Sequence, residues 1–256
     1  MTDTVTYEQP LNERVRTFLR LEHLFNSEDH YLSNSSEWAS RAHLSLLLDI
    51  IDMLGRSDVK TELIKEMERH SLTLSSLKQN PAVDLQRLGI ILDDINNHLD
   101  ILRDSSYQPG EALRQNELVA TIKQRSSIPG GSCNFDLPAY HHWLQKPSTE
   151  RNDDLEKWRK DLLVIKNSIR LSLHMIRNSA NPVMEKAENG FFQQPIETNV
   201  SCQMIRIILP LDSGFFPEIS GGKHRFTVRF LEQASTNERP VQTKSLIEFE
   251  CHCCIL

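Results

Sequence analysis

No stretch of this sequence approaches the roughly 18 to 20 consecutive apolar residues that a helix needs to cross a bilayer. Its opening, MTDTVTYEQPLNERVR, has neither an apolar core nor a small-residue cleavage pattern, so no secretory signal is expected. Positive charge is not in excess either. The 29 Lys and Arg are outnumbered by 35 Asp and Glu, a formal net charge of -6, which argues against a general nucleic-acid binder. There are only five cysteines, four of them beyond residue 200. An odd number so placed fits reduced thiols in a cytoplasm better than a disulfide framework. Internal repeats and low-complexity tracts are absent from the sequence. So are a G-x-S-x-G nucleophile elbow and a G-x-x-x-x-G-K-[ST] phosphate loop.

What is present is an ordinary globular composition, 39% apolar and 25% charged, long enough for one large domain or two modest ones. From about residue 12 to 179 apolar residues recur at helical spacing. NERVRTFLRLEHLF predicts a helix capped by Asn12. SSEWASRAHLSLLLDIIDML predicts a second, with Trp38, Leu44, Leu47, Leu48 and Ile51 along its buried stripe and Gly55 ending it. A third starts from Ser57 as cap, with Asp58 in its first turn. Two more span 81–103 and 113–125, and IPGGS then reverses the chain. In FDLPAYHHWL, Asp136 reads as a cap and Pro138 as a first-turn residue. A long final helix, from about Thr149 to Ser179, has a stripe through Leu155, Trp158, Leu162, Ile165, Ile169, Leu173 and Ile176.

After Asn181-Pro182 the period changes to two. QMIRIILPL, HRFTVRFLE and SLIEFECHC alternate and are rich in β-branched and aromatic residues, while PLDSGFFPEISGGK supplies turn chemistry. TVTYEQ alternates as well, so a strand over 3–9 is in a position to join the C-terminal sheet. The expected fold class is α+β. A multi-helix domain occupies 1–184 and a small antiparallel β domain occupies 185–256.

Three constellations bear on function. In KHRFTVRF, alternation puts Lys223, Arg225, Thr227 and Arg229 on one face and His224, Phe226, Val228 and Phe230 on the other. Three cations on one strand face read either as a solvated surface with cross-strand ion pairs or as an anion-binding groove, and periodicity does not choose. In IPGGSCNFDLPAYHHWL, Cys133 with His141 or His142 raises a cysteine hydrolase as an alternative. The histidines fall on a helix beginning after the cysteine, however, which does not aim them at it. The end, CHCCIL, crowds four potential zinc ligands into four positions, too close for one tetrahedral site. Cys251 and Cys253 share a face with Ile247 and Phe249, so packed thiols are expected. CCIL also matches a prenylation pattern, but no polybasic segment precedes it. No metal or cofactor is expected.

Five segments, spread from end to end, carry a resemblance: PLNERVRTFLRLEHL, VKTELIKEMER, RSSIPGGSCNFDLPAYHHWL, NGFFQQ and PEISGGKHRFTVRF. The chain resembles the ZapD family of bacterial cell-division proteins. The resemblance implies a non-enzymatic homodimer that binds the C-terminal tail of FtsZ and bundles its filaments at the division site in the cytoplasm. It implies a tail-binding surface lined by Arg16, Arg56, His141, Lys223, Arg225 and Arg229. Lys60 departs from the pattern, standing where an arginine is expected.

Overall fold

The structure is a computed structural model that describes residues 3–32, 34–81, 83–196, 201–222 and 224–255. It is α+β, and the chain divides into two compact units: Met1–Thr17 with Leu173–Leu256, and Phe18–Ser172.

The second unit is helical. Its elements are α1 (Glu13–Leu32, from Phe18 onward), α2 (Glu37–Arg56), α3 (Val59–Ser76), α4 (Leu85–Arg103), α5 (Glu111–Arg114), α6 (Glu117–Ser126), α7 (Pro138–Leu144), α8 (Ser148–Arg159) and most of α9 (Leu163–Arg177). Side-chain caps start several of them. Asn12 accepts from Val15 N at 2.9 Å, Ser36 from Ala39 N at 3.0 Å, and Asp84 from Gln86 N and Arg87 N at 3.0 and 3.1 Å. Asp58, not Ser57, caps α3 by accepting from Thr61 N at 3.1 Å, and hydrogen bonds from the Thr61 side chain and then its backbone N–H hold the carboxyl below the usual range.

Several sequence expectations shift. Trp38 is 77% exposed rather than buried, because it stands six residues before Leu44 and so faces well round the helix from that stripe. The Arg41 guanidinium lies 5.5 Å from its ring centroid. Gly55 does not end α2, which runs on to Arg56 before extended Ser57 stops it. The helix expected over 113–125 is two, because Asn116 accepts from Val119 N at 3.0 Å and starts α6 afresh. Asp136 caps nothing. Leu137 holds the cap position of α7, Pro138 follows it, and the Asp136 carboxylate accepts from Cys133 Sγ at 3.2 Å. The long last helix breaks at a tight turn over Lys160–Leu162, where Tyr107 donates its hydroxyl to the Asp161 carbonyl at 2.6 Å. Its apolar stripe nevertheless stays buried across the break.

This unit also buries charge. Glu28 lies 2.9 Å from His43 and 3.0 Å from Arg159, while Lys166 and Arg170 both pair with Asp29. Such networks hold only when each member is partnered, since an isolated buried ion costs several kcal/mol.

The first unit is a pair of sheets. Thr4–Pro10 (β1) pairs with Met204–Pro210 (β4), as the alternation in TVTYEQ suggested. Ile247–Cys254 (β8) and Val183–Ala187 (β2) complete a four-stranded antiparallel sheet, order β1-β4-β8-β2. The other sheet runs Phe191–Pro195 (β3), Arg225–Glu232 (β6) and Phe216–Gly221 (β5), with Val241–Gln242 (β7) also pairing β6. Thus β5 forms inside a segment expected to be only turn, and β2 and β3 add strands that the sequence pattern did not announce. The β2–β3 turn places Asn189 at φ 51° and Gly190 at φ 67°, the left-handed pair that a tight hairpin requires.

The two sheets share one core. Ile205, Ile207 and Leu209 of β4 and Ile247, Phe249 and Cys251 of β8 meet Phe226, Val228 and Phe230 of β6. Phe249 sits 4.9 Å from Phe230 and 5.2 Å, edge-on, from Phe192.

Candidate functional site

Strand β6 builds the site by alternation. Phe226, Val228 and Phe230 are buried in the shared core, which obliges Arg225, Thr227 and Arg229 to point outward. The expected division of faces therefore holds from Arg225 on. His224 precedes the strand and is exposed instead of joining the apolar face. Lys223 lies outside the described residues.

Register fixes what flanks each cation. Arg229 stands opposite Phe191 of β3 on one side and Glu218 of β5 on the other. Its guanidinium pairs with the Glu218 carboxylate, both side chains being 54% exposed. Thr227 lies between Gln193 and Ser220, and Arg225 lies opposite Pro195. Among the described residues Arg225 has no ion-pair partner. Phe191 is 42% exposed on this outer face, and Leu231 and Phe216 are half-buried at the level beyond it. The surface therefore has an apolar end, a cation beside its own counter-ion, a polar row, and a second cation.

Two other arginines of this unit are held by one carboxylate. Arg177 Nε and Nη2 each donate to Glu8 at 2.8 Å, and Arg206 Nε donates to the same carboxylate at 3.0 Å. Arg16, in the first turns of α1, is half-exposed with Nη1 3.5 Å from Glu13.

In the helical unit, Arg56 is the exposed last residue of α2 and lines a cleft of about 570 Å³ with Lys60, Tyr107 and Arg114. Lys60 donates to the carbonyls of Asp104 and Tyr107 at 2.9 and 2.7 Å, so it braces the cleft wall. His141 is half-buried in α7. The structure thus groups Arg225 and Arg229 on one face and places Arg56 and His141 on separate helices of the other unit. Arg114 and Glu218 went unremarked in the sequence. A helix-end arginine carries no pattern of its own, and Glu218 acquires meaning only through strand register.

Nothing among the described residues pairs a cysteine with a histidine base. Among the described residues, the polar contact of Cys133 Sγ is with Asp136, and no histidine is within hydrogen-bond reach of it. Cys202 and Cys253 lie side by side, their Cα atoms 6.1 Å apart. Burial pushes the thiols of Cys251 and Cys254 up to about 12 and about 11.

Comparison with known proteins settles the lineage. The family model ZapD, described as a cell division protein, matches residues 19–229. The chain belongs to the ZapD family. It is 38% identical over 256 residues to the cell division protein ZapD of Methylococcus capsulatus, covering all of both chains. It is equally similar, at 38% over 252 residues, to that of Coxiella burnetii, with 98% of each chain covered. The ZapD of Cupriavidus pinatubonensis is 38% identical over 231 residues, covering 90% of this chain and 91% of the relative. The family match covers nearly all of the helical unit and ends within β6, at Arg229, so Arg225 and Arg229 both fall inside it. No helix among the described residues is long and apolar enough to cross a membrane.

Proposed function

We propose that this chain is a division factor with no catalysis of its own. It binds the C-terminal tail of FtsZ and, as a homodimer, cross-links FtsZ filaments at the septum in the cytoplasm. The tail is held by Arg225 and Arg229 with Lys223, and by Arg16, Arg56 and His141. The observation that carries this reading is the outer face of β6, where cations stand exposed beside apolar side chains while Arg177 and Arg206 are tied to Glu8.

The physics is that of a weak site used many times. Each cation gives a charge-assisted hydrogen bond to a carboxylate. Such bonds are exposed, so they are screened over about 8 to 10 Å at physiological ionic strength and binding falls with salt. A filament displays many tails and a dimer has two sites, so bivalent attachment raises apparent affinity without any new contact type.

The test is co-sedimentation with polymers of full-length FtsZ and of FtsZ lacking its tail. Only the former should carry the protein down. Arg225→Glu and Arg229→Glu should each abolish co-sedimentation and bundling, with sedimentation equilibrium still reporting a folded dimer. Wild-type bundling by both variants, or equal co-sedimentation with tail-less polymers, would sink the assignment.

A further inference from the structure

Taking the tail-binding reading as its basis, the geometry points to a specific grammar for the segment that this face accepts. It is an extended acidic peptide with two carboxylates four residues apart and an apolar side chain two residues beyond the one that Arg229 holds. To bind, it displaces Glu218.

Spacing is the first reason. Side chains on one face of a strand repeat every two residues, about 6.6 Å, so Arg225 and Arg229 stand about 13 Å apart along β6. An extended peptide laid along the strand has the same repeat, and its side chains at i and i+4 meet both cations. A helix rises only about 6 Å over four residues and misses one of them.

Composition is the second. One step past Arg229 the face turns apolar, with Leu231 and Phe216 paired in register and Phe191 flanking Arg229 itself. The peptide side chain at i+6 lands there. Past Arg225 no comparable apolar group follows among the described strand residues, so the two ends differ and the segment has a direction.

Glu218 is the third. It already occupies Arg229, so an incoming carboxylate replaces an existing ion pair instead of meeting a bare cation. Arg225 has no such rival. The carboxylate at Arg225 therefore engages first, and the one at Arg229 adds selectivity by working against Glu218.

Biotinylated peptides on a streptavidin surface test this at low salt. The probes contain the cores ESTSESL, ESESTSL (carboxylates two apart) and ESTSESS (no apolar residue). The first should bind at least about tenfold more tightly than the other two, the apolar arm reflecting partial burial of one leucine. Glu218→Gln should tighten ESTSESL about two- to fivefold, the range that an exposed ion pair commands. Leu231→Thr should erase the preference for ESTSESL over ESTSESS, and Leu231→Met should keep it, which separates a contact from a folding defect. Equal binding of ESTSESL and ESESTSL, or indifference to Glu218→Gln, overturns the grammar. If FtsZ co-sedimentation still depends on the tail in that case, the tail-binding reading survives it.

Discussion

Arg151 and Arg225 carry the same charge, and their surroundings give them opposite uses. Arg225 is exposed on a strand face, whereas Arg151 is buried. Arg151 donates to the carbonyls of Ser35, Leu144 and Lys146 and to the Ser40 hydroxyl, in part across separations of 116 and 111 residues. Its guanidinium is a hub that gathers the start of α2 and the α7–α8 turn. Arg151→Met should lower stability by about 3 kcal/mol, since the acceptors lose their donors together. Arg151→Lys should recover only part of that, because a point charge cannot span a planar fork. Urea unfolding measures both, and a Met variant within about 0.5 kcal/mol of wild type would refute the hub. Nothing in the sequence marks this residue. Its partners are mostly backbone carbonyls, and these have no sequence signature.

At the scale of elements, strong periodicity survived what weak local signals did not. The stripe from Leu155 to Ile176 is buried throughout even though a tight turn interrupts the helix beneath it. The alternation of β6 likewise predicted its faces from Arg225 on, because one side of the strand must enter the core. Short strands such as β2 and β3, five residues each, contain too few repeats for a period to show. Glycine was misread for a related reason: its residue type alone does not tell a stop from a tolerated interior position. Gly55 lies within α2 with nothing within 4 Å of where a Cβ would sit. Gly55→Ala should therefore stabilise by about 0.5 to 1 kcal/mol. Gly190 is the opposite case, at φ +67° with a Cβ position 2.6 Å from the Thr243 carbonyl. Gly190→Ala should cost about 2 kcal/mol or more through strain and collision. Thermal melts of the two variants should move in opposite directions, and shifts of the same sign would contradict the distinction.

For the whole molecule, several acids buried in neutral form set an alkaline limit. Burial pushes the Cys251 and Cys254 thiols from 9.0 to about 12 and about 11 in the β unit. It pushes Tyr140 from 10.0 to about 12 in the helical unit, and raises Tyr107 further. Each raised value means that the unfolded chain loses its proton at lower pH than the folded one. Stability is thus complete below the unfolded values and is lost as pH rises through the folded ones. The melting temperature should fall by roughly 5 °C or more between pH 9 and pH 11, with far-UV and near-UV signals moving together if both units respond. A flat profile over that range would show that these groups ionise freely in the fold. The fold class was readable at this scale, since helical and strand periods occupy different stretches of chain. The pairing of two sheets over one core was not, because it depends on contacts between distant strands.

The order of strands in the larger sheet also dictates a timetable. Of the described elements β1 leaves the ribosome first and β8, which sits between β4 and β2, leaves last, while β4, the partner of β1, follows only after the entire helical unit. At about 5 to 20 residues per second, the newborn first strand must wait unpaired for many seconds. The helical stretch, which forms a compact unit over Phe18–Ser172, can condense during that interval. The sheet that carries β1 can only close once β8 is inserted as an interior strand. A nascent chain stalled before Ile247 would therefore present two open strand edges, β4 and β2, to its neighbours, and chaperone capture should peak at that length.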